Sequence, residues 1–124
     1  MKLVPSIVLG LTASIFAFAT APAAGQDAGE KTFKKYCGAC HTTEQGKNRV
    51  GPSLHGIFGR TAGKVEGFKY SDANSKSGAV FDEAFLDTYL TDPKAAMPGN
   101  KMVFVGVKNE QERKALIQYL KHAK

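Results

Sequence analysis

Apolar residues recur at helical spacing in three segments of this 124-residue chain, 27–40, 81–90 and about 109–120. The stretch 42–80 between the first two segments is rich in Gly, Ser, Thr and Lys and is typical of a loop. No segment alternates convincingly between apolar and polar residues with a period of two. The pattern therefore predicts an all-α domain with one unusually long connection.

The starts of these helices carry residues that favour N-caps. Asp27 is the candidate cap of the first helix and Asp82 that of the second. Asn109 precedes the third helix, and Glu112 lies three residues after Asn109, at the spacing of a capping box. These residues set the expected helix boundaries.

The first 25 residues have a different character from the rest. Lys2 is followed by an apolar stretch, 3–19, and then by a cluster of small residues at 21–25. This order is typical of a secretory signal peptide, with cleavage after Ala23 or after Gly25. A retained membrane anchor is the alternative, and it is disfavoured because the apolar stretch is slightly short for a span. We expect a signal peptide at 1–25, one domain at 26–124 and a periplasmic location.

The chain is basic, with 17 Lys and Arg against 11 Asp and Glu, and without Lys2 the balance is 16 to 11. A positive surface favours acidic protein partners or an anionic membrane, and an ordinary solubilising surface is the alternative. Nucleic acid is not an expected partner, because no binding module for it is recognisable.

The chemistry-bearing motif is Cys37-Gly38-Ala39-Cys40-His41, which holds the only two cysteines of the chain. Cys-x-x-Cys-His is the attachment signature of c-type haem. On a helical turn, two thiols three residues apart can bond both vinyl groups of one porphyrin, and the histidine can then bind the iron. A dithiol redox pair would need a thioredoxin-like strand pattern. A zinc site would need further ligands, and only His55 and His122 remain.

A second iron ligand is expected in the stretch 97–104. Met102 lies in an extended loop from which its thioether could reach the open face of the haem. Met97 is the alternative, but it directly precedes Pro98-Gly99 and is more typical of core packing. A thioether in the sixth position raises the reduction potential and leaves no vacancy for substrate, which favours electron transfer. The long loop 42–80 could then gain its packing from the haem.

These segments resemble the class I cytochrome c family, of the short cytochrome c2 and mitochondrial cytochrome c type. The resemblance covers essentially everything beyond residue 25, nearly without gaps. The matching segments are Gly29-x-x-x-Phe33-x-x-x-Cys37-x-x-Cys40-His41, then 50–60, 67–74, 89–93 and 97–104, and finally Leu116-x-x-Tyr119-Leu120.

The resemblance implies a class I cytochrome c fold, all-α, in which helices and long loops wrap one covalently bound haem. The N- and C-terminal helices should pack crosswise, through Gly29 on the first. Cys37 and Cys40 would form the thioethers, and His41 and Met102 would bind the iron.

The resemblance also assigns roles to five further residues. The Pro52 carbonyl would accept a hydrogen bond from the His41 ring. Arg60 and Tyr70 would hold a haem propionate, and Asn74 and Tyr89 would form a polar network near the Met sulfur. The alternatives are that Arg60 is a surface charge, Asn74 a turn residue and Tyr89 ordinary core.

By resemblance, the chain is a soluble, monomeric monohaem electron carrier and not an enzyme. Its donor would be a quinol-oxidising complex, and its acceptor a terminal oxidase, a photosynthetic reaction centre or a reductase. Acidic partner surfaces would dock on cations around the haem edge, which are Arg49, Lys94, Lys101 and Lys108. A peroxidase or gas-binding protein, and a redox-independent binding protein, are the competing functions.

Three positions depart from the pattern of the family. Phe81 stands where Trp is usual, so it cannot donate a hydrogen bond to a propionate. Asn100 replaces the commoner Thr and leaves the hydrogen bonding of the Met loop open. Tyr36 stands where a lysine often borders the haem edge.

Overall fold

The computed structural model describes residues 24–124, so the proposed signal peptide lies almost wholly outside the described residues. The helices in that range are α1 (Ala24–Tyr36), α2 (Asp72–Lys76), α3 (Glu83–Thr91), α4 (Pro93–Ala96) and α5 (Glu110–Lys121). An isolated antiparallel bridge joins Thr61 to Val80, and the described part of the chain has no strand. None of its helices has the length and apolar character needed to cross a membrane.

The three predicted helices correspond to α1, α3 and α5, but both ends of the first are displaced, because α1 ends at Tyr36 and residues 37–40 form a turn. Because α1 begins at Ala24, Asp27 lies inside its first turn, and the prediction that Asp27 caps the helix is wrong. A carboxylate in a first turn still interacts favourably with the helix dipole. The short helices α2 and α4 were not predicted, since one turn carries too little periodicity to stand out in a loop.

The other two predicted caps are confirmed. The Asp82 side chain accepts a hydrogen bond from the backbone N–H of Phe85 at 2.8 Å. Asn109 accepts one from the N–H of Glu112 at 2.9 Å. The Glu112 carboxylate is engaged elsewhere, because Lys35 donates to it across the α1–α5 interface at 2.7 Å. Asn109 therefore makes its hydrogen bond of the capping box, while the Glu112 carboxylate bonds to Lys35 instead.

Helices α1 and α5 pack crosswise, and Gly29 sits where they meet. A Cβ at position 29 would lie 2.5 Å from Cβ of Tyr119 and closer still to the carbonyl oxygen of Ala115. The rings of Phe33 and Tyr119 are 5.5 Å apart, and Leu116 is fully buried. A glycine is needed because any side chain would force the two helices apart.

The loop 42–80 is fastened to the helical core at its far end. Gly59 donates to the carbonyl of Phe81 at 2.9 Å, and Phe81 donates back to Arg60 at 2.9 Å. The Phe81 ring is buried, with its centroid 5.6 Å from those of Phe85 and Tyr89. Phe81 therefore fills the space expected of the larger Trp, and it anchors the loop to α3.

Candidate functional site

The Cys-x-x-Cys-His segment forms a hydrogen-bonded turn at the end of α1. Cys37 donates to the carbonyl of Phe33 at 2.7 Å, continuing the helix. Cys40 and His41 both donate to the carbonyl of Cys37, at 3.0 and 2.9 Å. One tight turn therefore carries both thiols and the imidazole, as the motif predicts.

The two thiols differ in their surroundings. Cys37 is buried and Cys40 exposed, and neither forms a disulfide within residues 24–124. Burial, with a smaller contribution from Cys40, raises the pKa of the Cys37 thiol to about 12. A redox-active dithiol needs a cysteine with a lowered pKa. The raised pKa therefore argues against Cys37 as the nucleophile of a redox-active pair.

The His41 ring is held in one orientation. Its Nδ1 atom lies 2.8 Å from the carbonyl oxygen of Pro52. Because a carbonyl can only accept, Nδ1 carries the proton and Nε2 keeps its lone pair. Burial lowers the pKa of His41; the charge of Arg60 adds to this, and the Pro52 hydrogen bond opposes it. A neutral imidazole with a free Nε2 is the form that binds a metal.

Gly51 provides the space for this ring. A Cβ at position 51 would lie 2.6 Å from Nδ1 of His41 and 2.7 Å from Nε2. Gly51 also donates its N–H to the carbonyl of Cys40 at 2.8 Å, so the segment 50–52 closes against the motif. This residue was part of the matched pattern, but its role was missed, because close approach to a ring is visible only in three dimensions.

A zinc site is not supported. Within residues 24–124, no group of three or more His, Cys, Asp or Glu side chains is placed to hold a metal ion. His55 donates from Nδ1 to the carbonyl of Thr43 at 3.3 Å, and His122 to that of Gln118 at 2.8 Å. The described donors suit a haem, for which the protein supplies two thioethers and axial ligands, better than a bare metal ion.

The two candidate methionines occupy different environments. Met97 is 4% exposed and belongs to the hydrophobic core, which agrees with its expected packing role. Met102 is half-buried and packs against the edge of that core. Its backbone N–H donates to the side chain of Asn100 at 2.9 Å. Of the two thioethers, that of Met102 is the more available to a ligand.

Arg60 and Tyr70 are brought together by the loop 42–80. The Arg60 guanidinium donates to the carbonyls of His55 and Ser53, at 3.0 and 3.1 Å. Burial lowers its pKa, and the neighbouring Tyr70 opposes that shift. The Tyr70 hydroxyl accepts the N–H of Val65 at 3.2 Å and keeps its own proton to donate. The pair can offer both a charge and a hydroxyl to one anionic group.

Asn74 and Tyr89 are also neighbours, although the helix α2 that carries Asn74 was not predicted. Tyr89 is 8% exposed. Burial raises the pKa of its hydroxyl, and the nearby Asn74 side chain opposes the shift. Tyr89 is thus a core residue with Asn74 as a neighbour, and its part in a polar network near the Met sulfur stays a prediction.

The four candidate docking cations are all exposed, and most are held by backbone carbonyls. Arg49 donates to Gly38 at 2.9 Å and Lys108 to Thr91 at 2.6 Å. Lys101 donates to Lys69, and its ammonium lies 5.1 Å from the centre of the Phe68 ring. Lys94 lies on α4. With Lys108, it flanks a surface groove that also exposes apolar side chains, which are Val103, Phe104 and Val105.

Tyr36 has a role that the sequence did not predict. Its hydroxyl donates to the Glu112 carboxylate at 2.8 Å, and its ring lies 6.2 Å from that of Phe104. The only signal in the sequence was that Tyr36 departs from the family pattern. It links α1, α5 and the segment that carries Met102.

Comparisons with known proteins agree with one another. A sequence model of the family "Cytochrome c" matches residues 26–124. The chain is 51% identical over 118 residues to cytochrome c2 of Blastochloris viridis, which covers 93% of this chain and 91% of that protein. It is 50% identical over 107 residues to cytochrome c of Chlamydomonas reinhardtii, covering 86% and 96%. Among solved structures, cytochrome cH from Methylobacterium extorquens aligns with a TM-score of 0.73 and 46% identity, covering 77% of this chain and 96% of that one.

Proposed function

This chain belongs to the cytochrome c family of covalent haem c electron carriers, and from that premise we propose that it shuttles single electrons between membrane redox complexes, with His41 and Met102 as iron ligands. The observation that carries the proposal is the orientation of His41. With Nδ1 committed to Pro52 at 2.8 Å, the ring has one nitrogen left for a metal, on the turn that also presents Cys37 and Cys40.

When bound, the haem supplies one-electron cycling between Fe(III) and Fe(II). The residues of the chain would hold it, Cys37 and Cys40 by thioether bonds and His41 and Met102 as iron ligands. The Pro52 hydrogen bond fixes the His41 ring and raises its basicity as a ligand. As an iron ligand, the thioether of Met102 would favour the reduced state. With His41 and Met102 both committed as ligands, the chain would leave no iron position for a substrate.

The polar residues around the site have separate proposed tasks. Arg60 and Tyr70 hold a propionate, since they place a guanidinium and a hydroxyl near one another. Asn74 and Tyr89 form a polar pair near the Met sulfur. Phe81 contributes packing alone, because its side chain has no donor.

The docking surface is proposed to be the exposed cations Arg49, Lys94, Lys101 and Lys108. Three of them are tethered to backbone carbonyls, so their charges have less freedom to lose when a partner binds. Such a surface attracts acidic partners and gives fast, weak and salt-sensitive encounters. The partners are a quinol-oxidising complex as donor, and a terminal oxidase, a reaction centre or a reductase as acceptor.

We propose export to the periplasm as a monomer, with residues 1–25 removed as a signal peptide. The family match begins at Gln26, directly after the small-residue cluster that suits a signal peptidase. Association with the membrane would be transient and electrostatic.

One experiment tests haem attachment and cleavage together. The full chain is expressed in a host that exports and matures c-type cytochromes, and the purified protein is analysed by pyridine haemochrome spectrum and intact mass. We expect one haem per chain and the mass of a protein whose N-terminus lies between Ala24 and Gln26. The double variant Cys37→Ala, Cys40→Ala should lose the covalent haem. A colourless wild-type product with two titratable thiols would refute the proposal.

A further inference from the structure

Asn100 is a buried polar residue, 9% exposed, whose side chain is fully engaged in hydrogen bonds. Its Nδ2 donates to the carbonyl oxygens of Pro93 at 2.8 Å and of Met97 at 2.9 Å. Its Oδ1 accepts the backbone N–H of Met102 at 2.9 Å. One amide therefore joins both ends of α4 to the backbone of Met102.

The orientation of this amide is determined by its partners. Rotating it by half a turn would point Oδ1 at two carbonyl oxygens and Nδ2 at an N–H group, losing all three hydrogen bonds. The anchors are themselves fixed, because Pro93 and Met97 are buried in the core. The Asn100 amide therefore fixes the backbone of Met102 relative to the core.

The rest of this loop has little to hold it. Pro98, Gly99, Lys101 and Val103 are all exposed, and Val103 is 97% exposed. Lys101 reaches the carbonyl of Lys69, but through a long side chain at the surface. Side-chain hydrogen bonds in a buried site are stronger and less mobile than those at the surface. Asn100 is thus the buried hydrogen-bonding link between the backbone of Met102 and the core, in addition to the packing of the Met102 side chain.

We propose that Asn100 is the positioning residue of Met102, a role that rests on the proposed ligation of the iron by Met102. By holding the backbone N–H of Met102, the Asn100 amide limits how far the thioether can move away from its binding position. A competing ligand can occupy that position only when the loop moves outward. Removing the Asn100 hydrogen bonds should therefore make it easier for a competing ligand to displace Met102, beyond any effect on the stability of the fold.

The test uses imidazole as a competing ligand of the ferric holoprotein, titrated by absorbance. Asn100→Ala removes all three side-chain hydrogen bonds and should tighten apparent imidazole binding by about tenfold or more, since three bonds at the low end of the usual range already correspond to a tenfold change. Asn100→Asp keeps the shape but turns a carboxylate toward two carbonyls, and its effect should be larger. Asn100→Ser keeps a hydroxyl acceptor for Met102 and should be intermediate.

A matched control comes from α1, where the buried Thr32 hydroxyl donates to the carbonyl of Ala28 at 2.9 Å. Thr32→Val also removes a hydrogen bond from a buried side chain, but away from the Met102 loop. We expect it to bind imidazole like the wild type, whatever its effect on the unfolding free energy. If Thr32→Val tightened imidazole binding as much as Asn100→Ala, general destabilisation would explain the effect and the positioning role would be refuted.

The variant Met102→Ala separates this inference from the proposed ligation. If Met102→Ala leaves the ferric spectrum and imidazole affinity unchanged, the ligation itself is wrong. If Met102→Ala changes both but the Asn100 variants bind imidazole like the wild type, Met102 is the ligand and Asn100 does not position it. Should Asn100→Asp fail to fold, Asn100→Ser and Asn100→Ala still separate these two outcomes.

Discussion

The Nδ1 atom of His41 lies 2.8 Å from the carbonyl oxygen of Pro52, and this contact determines which ring nitrogen is free. The carbonyl belongs to a segment whose preceding residue, Gly51, donates its N–H to Cys40 at 2.8 Å. The haem-attachment turn and the segment that orients its histidine are therefore hydrogen-bonded to one another. A displacement of the segment 50–52 should therefore also displace the turn that carries His41.

Substitution at Gly51 tests this arrangement. In Gly51→Ala the new Cβ would overlap the His41 ring, so the ring or the segment must move. We expect the unfolding free energy of the holoprotein to fall by about 1–3 kcal/mol, with a changed ferric spectrum. The measurements are denaturant unfolding and absorbance.

Gly38→Ala is the matched control for that substitution. It lies inside the haem motif, yet its Cβ would meet only ordinary contacts, at 3.4 Å from Lys34. We expect it to keep the wild-type spectrum and stability. If Gly51→Ala behaved like Gly38→Ala, the orientation of His41 would not depend on the space at position 51.

The contact of Glu112 with Lys35 and Tyr36 predicts a pH dependence of stability. The hydrogen bond from Lys35, followed by that from Tyr36, holds the pKa of Glu112 below its ordinary 4.5. The hydrogen bond to Glu112 and, after it, the neighbouring Tyr36 raise the pKa of Lys35 to about 12. The stabilisation is complete between pH 4.5 and 10.5, and it is lost as the pH falls through the folded pKa of Glu112 or rises through that of Lys35.

Glu112→Gln should therefore lower the unfolding free energy at neutral pH and flatten both limbs of its pH profile, measured by denaturant unfolding. Lys35→Met and the double variant complete a mutant cycle. We expect the double variant to lose less stability than the two single variants together. Additive losses would mean that the two side chains do not stabilise the α1–α5 interface as a pair.

Much of this structure was predictable because its determinants are local. Asp82 and Asn109 cap helices through residues three positions away, so their role is visible in the sequence. The haem motif is equally local. Asp27 was assigned wrongly because α1 extends three residues further toward the N-terminus than its apolar pattern. A signal for a helix start is weak where the preceding residues are also good helix formers, as Ala24 is.

The features that the sequence could not supply depend on distant partners. The amide of Asn100 is understood only once α4 places the carbonyls of Pro93 and Met97 beside it. Glu112 had a local role available in a capping box, but its carboxylate binds Lys35, 77 positions away. Tertiary contacts override local preferences in such cases, and a single sequence gives no indication of which preference prevails.

The docking proposal predicts a charge-dependent rate. Lys94→Glu should slow reduction of hexacyanoferrate(III), an anionic oxidant, by about twofold or more at low ionic strength, because the local attraction becomes a repulsion. The difference should shrink as salt is added. Stopped-flow absorbance measures the rate.

Lys64→Glu carries the same change of charge and serves as the control. Lys64 is exposed and is not among the residues that line the groove beside Lys94. We expect it to reduce the rate less. Equal effects of the two variants at every salt concentration would mean that net charge alone, and not a localised surface, governs the reaction.

Met102 is the residue on which the proposed electron transfer most depends, and the absorption spectrum of the ferric protein tests its ligation most directly. A ferric haem bound by a thioether has a weak charge-transfer band in the far red that other sixth ligands do not give. Met102→Ala should abolish that band and lower the reduction potential. Met97→Ala should keep the band and lose about 2–5 kcal/mol of stability, since it leaves a cavity in the core. A Met102→Ala protein with the wild-type band and potential would contradict the account.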